Sequence, residues 1–150
     1  MPTRILIPSG VLGLGFDRQA LANGVQNKPD AICIDGGSTD SGPFYLGTGT
    51  SKYSTLATRS DWRELMIARE QLGVPLVIGS CGTCGSDQTV DWMYELTCEI
   101  AAELGQQITV ARLYSSQSAD SLVTAWESGR VTELQPVSYT HLTLPTKRIV

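Results

Sequence analysis

The chain has 150 residues, 41% of them hydrophobic and 17% charged, a length and balance that suit one domain with a real core and set it apart from disordered chains. A formal charge of −4, three lysines and no basic run argue against a protein that grips the phosphate backbone of nucleic acid. No apolar run approaches the ~18–20 residues of a membrane span, and four cysteines without a secretion signal imply reduced thiols, no membrane partner and a cytoplasmic location.

In chain order, Arg4-Ile5-Leu6-Ile7 predicts a first strand, stopped by Pro8, Ser9 and Gly10. Phe16, Ala20, Leu21 and Val25 then fall at near-helical spacing, with Asp17 placed to cap the first turn. Ala31-Ile32-Cys33-Ile34 predicts a second strand, apolar without alternation as in a parallel strand covered on both faces, and it ends at Asp35-Gly36-Gly37. A long loop rich in glycine, serine and threonine follows to about Arg59, with Phe44-Tyr45-Leu46 its one apolar insertion. Asp61, with Glu64 three residues later, predicts the start of a helix lined by Trp62, Leu65, Met66 and Leu72 and stopped by Gly73.

Residues 74–78 predict a third strand, and residues 79–87 a second loop of glycine, serine and cysteine. The next helix carries the stripe Met93, Leu96, Thr97, Ile100, Ala101 and Leu104 and stops at Gly105. Residues 108–114 predict a fourth strand, and residues 119–127 a helix whose inner face is Leu122, Val123 and Trp126. Alternating elements of this kind imply an α/β fold, a parallel sheet of repeated βα units, doubly wound, with part of a βα barrel as the alternative.

Residues 137–146 match, in order, the conceptual translation of a transposase sequencing adapter, so residues 1–136 are taken as an incomplete α/β domain and residues 137–150 as a non-native tail. The reading frame is then expected to be interrupted near Pro136, with the natural protein continuing beyond it. His141 is the one histidine, so residues 1–136 hold no imidazole for general-base work or metal binding.

In parallel α/β folds the strands end at one shared edge, and ligands bind there. The loops from Ser9, Asp35, Gly79 and Ser115 therefore converge. Glycine lets backbone approach a ligand closely, and helix N-terminal amides offer donors to a carboxylate or phosphate. The candidate substrate-binding residues are Ser9, Gly36, Gly37, Ser38, Thr39, Gly79, Ser80, Cys81 and Gly82. Asp35 and Asp40 are candidates for acid, base or cation-ligand work, against the plainer reading that each is a turn or capping residue.

Cys81-Gly82-Thr83-Cys84 has redox spacing ahead of a helix, but no second such motif or reliable histidine completes a zinc site. Small residues for close backbone approach are the favoured reading, no metal site is expected, and Cys33 and Cys98 read as small buried hydrophobes. Gly13-Leu14-Gly15 followed by Asp35 imitates a dinucleotide fingerprint, but Arg18 stands at the third glycine position, so a nicotinamide-dependent oxidoreductase is a minority alternative.

Ile7-Pro8-Ser9-Gly10, the run from Ile34-Asp35-Gly36-Gly37-Ser38-Thr39-Asp40 through Ser41-Gly42-Pro43-Phe44-Tyr45-Leu46-Gly47, and Val77-Ile78-Gly79-Ser80 with Asp91-Trp92 downstream together resemble the N-terminal domain of the acyclic terpene utilisation (AtuA-like) family. The resemblance covers residues 3–135, and its long second motif is the specific part. It implies a fragment of a longer bacterial catabolic enzyme that degrades acyclic terpenes and branched acids as CoA thioesters. It also implies that Ser9, Asp35, Ser38, Thr39, Asp40 and Ser80 line the site. Cys81 and Cys84 depart from the family's Gly-Ser-Ala-Gly-like third loop. The implied partner is a small carboxylate or CoA-linked substrate, with the cofactor unassigned and a homo-oligomer allowed. A non-catalytic ligand-binding or regulatory domain is the rival from another class.

Overall fold

The computed structural model describes residues 2–8, 10–38, 41 and 43–132, so Ser9, Thr39, Asp40 and the adapter-like segment lie outside the described residues. The chain divides into two units, Met1–Ser116 and Gln117–Val150.

The first unit begins with β1 (Ile5–Leu6) and α1 (Arg18–Gln26), continues through β2 (Ala31–Asp35), α2 (Pro43–Thr48), α3 (Thr55–Leu72) and β3 (Leu76–Gly79), and ends on α4 (Asp87–Leu104). The strands form a three-stranded parallel sheet in the order β1-β2-β3. Mixed helix and strand with a parallel sheet agrees with the α/β expectation.

Local chemistry explains most boundaries. Asp17 caps α1 by accepting from the Ala20 N–H at 2.9 Å, as its position predicts. Gly73 and Gly105 end α3 and α4 with φ of +67° and +65°, a left-handed stop that glycine adopts without steric cost. The expected start of α3 at Asp61 is corrected: Ser54 caps the helix by accepting from the Ala57 N–H, so it begins at Thr55 and Asp61 lies in its second turn. Part of the expected long loop is helical too, as α2.

Register explains the core. Leu6 lies beside Ile32, Ile32 beside Leu76, and Ile34 beside Ile78, so these side chains share one sheet face. That face packs with Leu21 of α1, Trp62, Leu65 and Met66 of α3, and Met93, Leu96 and Ile100 of α4 in a single cluster. The opposite face carries Ile5 and Val77, which are 56% and 50% exposed, with Cys33 half-buried between them. Within this unit the sheet is therefore covered on one side, which corrects the expectation of a second strand sheltered on both. A progressive 1-2-3 order with right-handed crossovers puts all connecting helices on one face, and the burial pattern follows from that topology.

Two further expectations are corrected. Cys98 is exposed, because it falls beside the α4 stripe and not on it. Residues 108–114 form no strand; instead they run as a strap over α4. Polar anchors hold the strap there. The Ser115 and Ser116 N–H groups donate to the Asp87 carboxylate at 3.2 and 3.1 Å, and Arg112 bonds Asp91 at 2.7 Å. The Arg112 guanidinium also lies 4.4 Å from the Tyr94 ring centre, and the Tyr114 hydroxyl donates to Asp91. The second unit holds α5 (Ala119–Glu127), capped by Ser118, on which Leu122, Val123 and Trp126 are exposed.

Candidate functional site at the strand C-terminal edge

The loops after the three strands do meet. The Leu12 N–H donates to the Asp35 carbonyl at 2.8 Å, the Gly36 N–H to the Gly79 carbonyl at 2.6 Å, and the Thr83 N–H to the Gly36 carbonyl at 3.1 Å. The edge expected from topology is thus built by backbone hydrogen bonds between loops, which satisfy main-chain donors and acceptors that no strand or helix pairs.

Glycine identity in these loops is explained by that packing. A Cβ on Gly36 would lie 2.7 Å from the Gly79 carbonyl oxygen, and one on Gly37 would lie 2.2 Å from Thr83 Cα. A Cβ on Gly82 would meet the Thr89 side chain at 2.7 Å. All three glycines are buried, so their close approach is to protein backbone and side chain. Gly79 differs: it is exposed, with nothing within 4 Å of a Cβ position.

Asp35 is exposed at the end of β2, and its carboxylate accepts from the Gly37 N–H at 2.9 Å. This is an Asx-type turn, the plainer of the two roles expected for it. Ser38 is half-buried beyond the turn. Nearby, the Lys52 ammonium donates to the Ser41 hydroxyl at 3.2 Å and the Lys52 backbone N–H donates to the Thr83 hydroxyl at 3.0 Å.

Asp61 anchors the first loop, a role that its apparent capping position concealed. Its carboxylate accepts from both the Gly13 and Gly15 N–H groups at 2.9 Å. Successive amides turned toward one point form an anion-binding nest, and the chain fills this nest with its own carboxylate. The turn that imitates a dinucleotide fingerprint has its phosphate-type donors already engaged.

The third loop is strained. Ser80 and Thr83 have φ of +51° and +80°, alongside Gly82 and Gly85 at +62° and +66°. Thr83 is β-branched, so a positive φ costs it on the order of 1–3 kcal/mol, and it is held there by the Gly36 and Lys52 bonds and by burial. Burial pushes the Cys81 thiol pKa above its ordinary value. Burial works against ionisation of Cys84 as well, but hydrogen bonds from the Ser86 N–H and hydroxyl and from the Thr89 hydroxyl outweigh it, so the Cys84 pKa lies below the ordinary thiol value.

Beside this loop lies an open cleft of about 940 Å3 between the outer edge of β3 and the strap. Its wall is apolar along Leu76, Ile78, Met93, Ile108 and Val110, and Gly79, Ser80, Cys81, Gly85 and Ser115 form its polar end. Arg69 and Arg112 also line it. Gly79, Ser80 and Cys81 therefore face a ligand-sized space, whereas Gly36, Gly37 and Gly82 serve loop packing. No sequence signal pointed to the cleft, because it depends on a segment with strand-like composition that does not pair. Among the described residues no group of acidic, cysteine or histidine side chains is arranged to hold a metal ion, and no helix is long and apolar enough to cross a membrane.

In comparisons with known proteins, no family model, no curated protein and no solved structure matched the chain.

Proposed function

We propose that the chain is part of a catabolic enzyme of the acyclic terpene utilisation type, which binds a branched, elongated carboxylic acid or its CoA thioester. The cleft beside β3 is the observation that carries this reading: an apolar channel that ends in small polar groups suits an apolar chain with a polar head. On this reading the chain lies along Leu76, Ile78 and Val110, and the head meets Ser80 and Gly79, where open space surrounds the backbone. The motif around Ile34 to Gly47 supports the family reading and the CoA chemistry.

The open sheet face with Ile5 and Val77 supports a doubly wound sheet, in which further helices cover that side. A βα barrel would instead enclose it. Asp35 and Asp40 are the proposed catalytic carboxylates, with Ser9, Ser38 and Thr39 as proposed substrate-binding residues.

A non-catalytic ligand-binding domain is favoured by one observation, the engagement of the Asp35 carboxylate with the Gly37 amide. The nicotinamide reading draws less support, since Asp61 occupies the nest that would take a pyrophosphate.

Titration with a branched acyl-CoA, its free acid and a straight-chain acid tests the binding step. Saturable binding of a branched ligand is expected, weakened about tenfold by Val110→Asp, which places a charge on the apolar wall. A flat titration with all three overturns the assignment. In the uninterrupted protein, Asp35→Ala and Asp40→Ala should each lose turnover; folded variants with unchanged turnover sink the catalytic role and leave the binding domain.

A further inference from the structure

Cys81 and Cys84 are the first and last residues of a tight turn whose central residues, Gly82 and Thr83, both have positive φ. The Cys84 N–H closes the turn onto the Cys81 carbonyl. The ends of such a turn bring their Cα atoms within about 7 Å, and a disulfide spans Cα separations of roughly 4.4–6.8 Å. Cys81 is buried and Cys84 is half-buried, so Cys84 is the more exposed residue of the pair. The Cys84 sulfur lies 3.5 Å from the Tyr45 carbonyl oxygen of α2 and 3.8 Å from the Thr89 hydroxyl.

We propose that Cys84 and Cys81 form a reversible dithiol–disulfide pair in which Cys84 reacts with a small-molecule disulfide and Cys81 resolves the product. Three features of the turn support it: the end-to-end geometry, the unequal burial of the two sulfurs, and the strain at Thr83, which marks sites where structure has been held for a purpose. The Cys84 pKa lies below the ordinary thiol value, which favours its thiolate, the nucleophilic form.

The chemistry balances without other reagents. The Cys84 thiolate attacks one sulfur of the oxidant RSSR, the S–S bond breaks, and RS− leaves, giving a Cys84–S–S–R mixed disulfide. The Cys81 thiol then loses its proton to RS− as its sulfur attacks the Cys84 sulfur, and a second RS− departs. The second RS− takes the proton that Cys84 had lost to solvent. The protein dithiol is oxidised by two electrons and RSSR is reduced to two RSH. Oxidation removes the Cys84 S–H that reaches the Tyr45 carbonyl, so the contact between α2 and the third loop is lost with it.

The full chain, incubated with oxidised glutathione at neutral pH, then alkylated and peptide-mapped, tests the pair. Two of its four thiols should become unavailable, bridged within residues 81–84, while Cys33 and Cys98 remain alkylated. Cys81→Ala should stop at a stable glutathione adduct on Cys84, and Cys84→Ser should leave its three thiols free. Four thiols still alkylatable, a bridge that involves Cys33 or Cys98, or glutathione on Cys98 in preference to Cys84 would each overturn the proposal. The bridge map of the unsubstituted chain decides the matter even where Cys81→Ala fails to fold.

Discussion

Replacing Asp61 by alanine takes away the one acceptor shared by the Gly13 and Gly15 amides, each 2.9 Å from the same carboxylate oxygen. A hydrogen bond to a charged group contributes about 1.5–3 kcal/mol. The two amides do not weigh equally. Gly15 is exposed and its N–H turns to water at little cost, whereas Gly13 is part-buried, with Tyr53 Cβ 2.8 Å and the Thr58 hydroxyl 3.1 Å from where its Cβ would stand. The loop has no room there to swing its amide outward, so most of one charged bond is lost, about 2 kcal/mol. Asparagine keeps a neutral acceptor in the same place and should cost about 1 kcal/mol. For a chain of this size these losses lower Tm by about 4–8 °C and 2–4 °C respectively.

Urea unfolding followed by the fluorescence of Trp62, which is buried next to Asp61, reads the ranking directly. Equal midpoints for the native, Asn and Ala proteins would refute the nest. A second arm uses the vacancy. With the carboxylate gone, two convergent amides line the space it leaves, and sulfate should raise the Tm of Asp61→Ala above that in chloride of equal ionic strength while leaving the native protein unchanged. Equal stabilisation of both proteins would show that the turn is not an anion site.

Gly37→Ala should destabilise the fold by about 3 kcal/mol or more, because its Cβ meets Thr83 backbone and not a side chain that can move; a thermal shift of under a degree would contradict the loop-packing role. Trp62 donates its indole N–H to the Thr97 hydroxyl at 2.9 Å, so Thr97→Val should cost about 1–3 kcal/mol by leaving a buried donor unpaired, measured by the urea midpoint. The Asp87 carboxyl is held below the usual carboxylate range, first by the Ser116 N–H and then by its hydroxyl and the Ser115 N–H. A depressed folded pKa gives a contribution present above the unfolded value of about 4 and lost as pH falls through the folded one. The Ser115 and Ser116 amide resonances should therefore shift together in that acidic window, and Asp87→Asn should abolish the step.

What was legible in the sequence divides by physical cause. Caps and stops are local, so Asp17, Gly73 and Gly105 marked helix ends that the structure keeps. The start of α3 was obscured because Asp61 and Glu64 have capping spacing while the true cap, Ser54, precedes a polar stretch with no apolar period; Leu56 in that stretch is exposed. Glycines declared that something approaches the backbone closely, but a ligand and a neighbouring loop demand the same residue. Gly36 and Gly37 meet the third loop, and Gly79 meets open space. The bond from Gly13 to Asp61 joins residues 48 apart and has no sequence signature. The cysteine spacing was visible, whereas the unequal burial of the two thiols depends on how the turn folds against α4.

The strap shows why strand composition and strand formation part company here. Ile108 joins the core, while Arg112 and Tyr114 both reach Asp91 on α4, and Leu113 between them is 87% exposed. Alternate residues thus point to opposite sides, the period of a strand, without a partner ladder. The expected fourth strand is absent, because the segment finds no partner ladder. Parity also fixes what pairing would require. A one-residue slip would turn Ile108 away from the core, so joining β3 calls for the strap to approach without rotating. The gap it would close is the cleft beside β3. Apolar side chains of β3 and of the strap line that gap from its two sides. The unpaired strap and the ligand-sized space are therefore a single feature of this fold, which explains why reading residues 108–114 as strand also hid the cleft.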